Sequence, residues 1–164
     1  MKNIKMIVVI LLSIVSYSIN SQEMTNADLE KIFYVVSDSL RGEKGNWQFM
    51  INGRVIACIT DEKHNRMRIL TPIVEQKELS SEDKSKLLEA NFHSALDARY
   101  AISEGVVWSI FIHPLQELSK DEVLNAIYQV FSAAETYGDT YSSSSLTFPK
   151  PKKEEKEIFK KTKM

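Results

Sequence analysis

Apolar and polar residues alternate most legibly between residues 96 and 112. Leu96, Ala98, Tyr100 and Ile102 are spaced by two, as are Val106, Trp108, Ile110 and Ile112, so each run predicts a strand with one apolar face. Ser103-Glu104-Gly105 lies between them and reads as a three-residue hairpin loop, with glycine at the position that needs positive φ. That loop would set Ile102 opposite Val106, Tyr100 opposite Trp108, Ala98 opposite Ile110 and Leu96 opposite Ile112, which makes Trp108 a core residue. Pro114 ends the second strand because it has no N–H to donate. Ser119 and Glu122 then form a capping box that opens a helix carrying Val123, Leu124, Ile127, Tyr128 and Phe131 at helical spacing, with Gly138 able to close it.

The earlier part of the chain divides in the same way. Leu29, Ile32, Phe33, Val36 and Leu40 form one apolar stripe, predicting a helix from Met24 to Leu40 that Thr25 and Asp28 can cap and that Gly42 and Gly45 end. Asn52-Gly53 between Trp47–Ile51 and Arg54–Thr60 is a strong two-residue hairpin signal, pairing Ile51 with Arg54, Phe49 with Ile56 and Trp47 with Cys58. Arg66 to Val74 supplies a third strand, in which Pro72 predicts a bend or an edge position. A second helix begins at Ser80 or Ser81 with Leu87, Leu88 and Phe92 on its apolar side. The expected architecture is α+β: an antiparallel five-stranded sheet with three helices, in the order α-β-β-β-α-β-β-α.

Three stretches carry a resemblance: Leu87-Leu88-Glu89-Ala90-Asn91-Phe92 before a strand, Ser103-Glu104-Gly105-Val106-Val107 as a hairpin, and Pro114-Leu115 leading into the capped last helix. With the element order, they resemble the type III secretion chaperone-like fold of the class I secretion chaperones and the YbjN-like proteins. Class I secretion chaperones are small, acidic and usually dimeric. They hold an extended segment of a client by strand addition and apolar patches without hydrolysing nucleotide. The resemblance therefore implies non-catalytic binding of a protein or extended peptide, with homodimerisation expected from the same source.

Those chaperones work in the cytosol, and the N-terminus here departs from them. Lys2 and Lys5 precede an apolar run from Met6 to Val15 and a polar stretch from Ser16 to Ser21, which reads as a signal peptide over residues 1–21. The apolar run is short for a membrane span, although an uncleaved anchor is the alternative. Export to the periplasm or extracellular space, with cleavage near Ser21, is the expected localisation. Residues 22–138 then form a single domain. Residues 139–164 read as a disordered tail rich in serine and lysine, with too few apolar side chains to offset the entropy of ordering them.

The formal net charge of −1 conceals an asymmetry. Residues 22–149 hold 12 Lys plus Arg against 19 Asp plus Glu, a net of −7, whereas residues 150–164 hold 7 Lys against 3 Glu, a net of +4. An acidic body argues against nucleic acid as a partner. The basic tail supports an alternative reading as an envelope-associated protein that contacts anionic lipid or polymer.

The chemistry-bearing residues are sparse. Cys58 is the one cysteine, so no intramolecular disulfide can form, and its apolar neighbours predict a buried, inert thiol. His64, His93 and His113 show no metal-ligand spacing, and no nucleophile motif or phosphate-cradling glycine loop is present. No catalytic residue, metal site or cofactor is therefore assigned. The candidate site is the sheet face opposite the helices, where strict alternation places Arg66, Arg68 and Arg99 with Met50 and Phe111, alongside Gln48 and Ser109. Arginine next to large apolar residues suits a protein-binding surface. A merely solvated face is the alternative.

Overall fold

The structure is a computed structural model and describes residues 23–144. The predicted signal peptide and the tail beyond Ser144 lie outside the described residues. Helix α1 spans Asn26–Val36, followed by strands β1 (Ser39–Glu43), β2 (Asn46–Ile51), β3 (Arg54–Asp61) and β4 (Arg66–Glu75). A short 3-10 turn, Gln76–Glu78, leads to α2 (Ser81–His93), β5 (Arg99–Ser103), β6 (Val106–His113) and α3 (Lys120–Glu135). All strand pairs are antiparallel, in the order β1-β2-β3-β4-β6-β5.

The sheet therefore has six strands, not five. The expected first helix stops at Val36, because Ser37 turns to extended geometry and both its N–H and its hydroxyl bond to the Phe33 carbonyl. Leu40 belongs to β1, opposite Phe49. Its spacing from Val36 suits a helical stripe, but Leu40 lies partly buried against the core from a strand. Gly42 is needed there: with φ at +109°, an added Cβ would come within 2.2 Å of the Asn46 carbonyl oxygen.

The Asn52-Gly53 hairpin has the expected register, with φ of 49° and 79° at its two turn residues. Pro72 sits in a central strand and not at an edge. The bend it predicted is a shift in the β4/β6 register between Pro72 and Val74. Capping also follows expectation. Ser80 with Asp83 and Ser119 with Glu122 form complete capping boxes, and Thr25 caps α1.

The β5/β6 hairpin differs from its predicted register by one residue. Glu104 and Gly105 adopt φ of 50° and 73°, so the turn has two residues, with both central positions left-handed. Ser103 pairs with Val106, Ile102 with Val107 and Tyr100 with Ser109. A slip of one residue exchanges the two faces of a strand. Val107, Ser109 and Phe111 are consequently buried, whereas Trp108 is half-buried on the opposite face and Ile112 is 54% exposed.

The helices cover one face of the sheet. There Phe33 of α1 stacks on Phe49 at 4.6 Å and meets Trp47 edge-on at 5.6 Å. Helix α3 packs across β4 and β6 with Val123, Ala126, Val130 and Ala133 buried. Two other helical expectations fail: Leu88 and Phe92 of α2 are 71% and 75% exposed, because Leu87 and Ala90 face inward, and Tyr128 of α3 is also exposed. Residues 139–144 are docked, contrary to the expected start of disorder at 139. Ser143 donates through its amide to the Ser94 carbonyl and through its hydroxyl to the Ala95 carbonyl, while Thr136 and Ser142 exchange hydrogen bonds.

Candidate partner-binding face

Of the predicted site residues, Met50, Arg66, Arg68 and Arg99 do lie on the open face of the sheet, opposite the helices. Phe111 does not. It is 6% exposed, points into the core and stacks near His113 at 5.9 Å, as a consequence of the register slip in β5/β6.

Cross-strand pairing defines the open face row by row. One row runs Arg41, Gln48, Ala57, Leu70, Ile110, Arg99 across all six strands. The next runs Asn46, Ile59, Arg68, Ile112. Pro72, Trp108 and Ala101 form a third. An apolar strip, Ala57, Leu70 and Ile110 with Pro72 and Trp108 beside them, thus crosses the middle of the face with Arg41 and Arg99 at the ends of its row, while Arg68 stands between Ile59 and Ile112, which are 44% and 54% exposed. Trp108 is held in this strip by its indole N–H, which donates to the Ser103 carbonyl at 3.1 Å.

None of the four arginines forms an ion pair with a described residue. Arg66 and Arg99 each donate to a neighbouring main-chain carbonyl, of Asn65 and Ala98. Asp61 stands opposite Arg66 but is engaged by His64 at 2.6 Å, and the His64 hydrogen bond holds the Asp61 carboxyl below its ordinary range. Arg54 differs, because it lies on the helix side and grips Glu135 at 2.6 Å.

Reading from sequence missed Arg41, because the expected helix runs to Leu40 and leaves Arg41 in the glycine-bounded turn after it, and Ile110, Ile112 and Trp108, because of the one-residue slip. The signal that would have placed Arg41 is the pair of glycines flanking Glu43-Lys44, since a helix end needs one such residue and a hairpin with a distorted edge strand uses both. Cys58 is fully buried, and burial pushes its thiol pKa far up, away from reactivity. Among the described residues no three His, Cys, Asp or Glu side chains converge to hold a metal ion.

This architecture recurs in solved structures. A chain of the HopA1–SchA chaperone–effector complex superposes with a TM-score of 0.50 at 13% identity, over 67% of this chain and 96% of that one. A chain of the ExsC–ExsE complex does so with a TM-score of 0.52 at 13% identity, over 71% and 97% respectively. The chain has the type III secretion chaperone-like fold. No protein-family model matches the sequence, and no curated protein is similar to it. At this identity the likeness shows the secretion chaperone-like fold alone, and what the fold is used for rests on the face just described.

Proposed function

We propose that the chain is an exported, non-catalytic module that binds a protein partner on the open face of its secretion chaperone-like sheet. The observation that carries this reading is the apolar strip with Arg41 and Arg99 at its ends and Arg66 and Arg68 on the same face, arginines that form no ion pair with a described residue in a body that is otherwise acidic. The solved chains of similar fold come from a chaperone–effector complex and from the ExsC–ExsE complex, which supports a protein partner. Export is supported by the basic and apolar pattern of residues 1–21.

Arg66→Glu with Arg68→Glu is the test. The double variant should fold normally, since exposed charges contribute little to stability, yet lose partners captured by the wild type from an envelope extract at low salt. A normally folded variant that recovers the same partners would reduce the face to solvated surface. Homodimerisation, expected from the resemblance, is supported by Leu88 and Phe92, which stand one helical turn apart, exposed, on α2. Sedimentation of the same purified protein reads that association directly, and a monomer at high concentration would remove it.

A further inference from the structure

Two features decide how a partner can meet this sheet. At the β5 edge, Asn91 of α2 accepts from the Tyr100 amide at 2.7 Å and donates to the Tyr100 carbonyl at 3.0 Å. One side-chain amide thus fills both main-chain positions that an added strand would use at Tyr100, with its own helix packed against β5. At the other edge, β1 has only five residues and, although its ladder to β2 runs unbroken, its backbone is distorted at Gly42, whose φ of +109° lies outside the extended region. Neither edge offers a straight, free ladder.

The open face, in contrast, presents only side chains. An extended peptide laid flat on it would bury its N–H and C=O groups against Leu70 and Ile110 without partners, whereas a helix satisfies those groups internally. The central row places Arg41 on the first strand and Arg99 on the last, five strand spacings apart. At about 4.8 Å each, that separation is about 24 Å, the length of a helix of about sixteen residues.

We propose that the open face takes an amphipathic α-helix of a partner protein, apolar along its middle and carrying carboxylates near both ends, which pair with Arg41 and Arg99. The inference rests on the open face being the partner surface, and it adds the partner's conformation and charge. It also sets this sheet apart from strand addition as a way of holding a client.

Three synthetic eighteen-residue peptides test it against the full chain, read by anisotropy of a label on the peptide and by Trp108 emission. Trp108 is the informative fluorophore, because Trp47 is only 1% exposed in the core. The first peptide has a Leu/Ile stripe with Glu at both ends, the second has Lys in place of Glu, and the third is the first with two central prolines. The Glu peptide should bind and shift Trp108 emission. The Lys and proline peptides should bind at least about tenfold more weakly, and Arg41→Glu with Arg99→Glu should weaken the Glu peptide by a similar factor. Equal binding of the proline peptide would overturn the helical partner, and equal binding of the Lys peptide would overturn the acidic one. If no peptide binds while Arg66→Glu with Arg68→Glu still abolishes partner capture, the helix inference is wrong and the face remains the partner surface. If that capture also persists, both fail.

Discussion

Phe111 and Trp108 lie three residues apart on β6 and exchange roles under a one-residue slip, so truncating each in turn tests the register of the β5/β6 hairpin. Phe111 is 6% exposed beneath the helices, and Phe111→Ala should cost about 3 to 5 kcal/mol, transfer and cavity terms together. Trp108 is half-buried on the open face. A tryptophan buries about 200 Å² when fully covered, so roughly half of that at about 25 cal/mol per Å² gives about 2.5 kcal/mol, an upper bound. Because the space left by Trp108→Ala opens to solvent, no cavity term is added and about 2 kcal/mol is expected. Urea unfolding followed by circular dichroism, which does not depend on the lost tryptophan, measures both. A larger loss for Trp108→Ala than for Phe111→Ala would show that the three-residue loop and its register are the true ones.

Two further outcomes are expected. Hydrogen bonds from Ser80 hold the Asp83 carboxyl below its ordinary range, and those from Ser119 do the same for Glu122, so both groups stabilise the fold above that range and cease to as pH falls through their lowered folded values. Glu122→Gln should therefore lower the melting temperature at neutral pH and narrow the gap to wild type under acid; a gap that widens under acid would contradict this assignment. Protein recovered from the envelope should begin near Gln22 by mass analysis, and an intact Met1 on cytosolic protein would remove the export proposal.

Much of this fold was legible because local chemistry and global packing agree. Asn52-Gly53 sets its hairpin without help from elsewhere, and Thr25, Ser80 and Ser119 begin their helices through bonds that span three residues. The errors lie where a local pattern suits two structures equally. Leu40 continues a helical stripe but also alternates correctly in β1. In β6 the sequence VVWSIFIH carries apolar residues on both faces, and the buried Ser109, opposite the buried Thr71, makes the inward set look like the polar one. The site inherited both errors. Simple alternation puts Arg66, Arg68, Arg99 and Met50 on the open face as observed but misplaces Phe111, and Arg41 falls in the turn expected after a helix ending at Leu40. The Asn91 contact with Tyr100 had no signal at all, since it depends on where α2 comes to rest against β5.

The strand order also bears on how fast the chain can fold. Four of the five strand pairs join consecutive strands, and three of those hairpins close over the two-residue turns Lys44-Gly45, Asn52-Gly53 and Glu104-Gly105. The exception is the β4/β6 ladder, whose Glu75 and Val106 meet only after residues 76–105 have been looped out. Closing a loop of that length costs about 3 kcal/mol of chain entropy before any contact compensates. The β1–β4 meander and the β5/β6 hairpin can thus form from neighbouring residues, while the seam between them, which α3 spans, is the contact for which loop closure predicts the slowest formation.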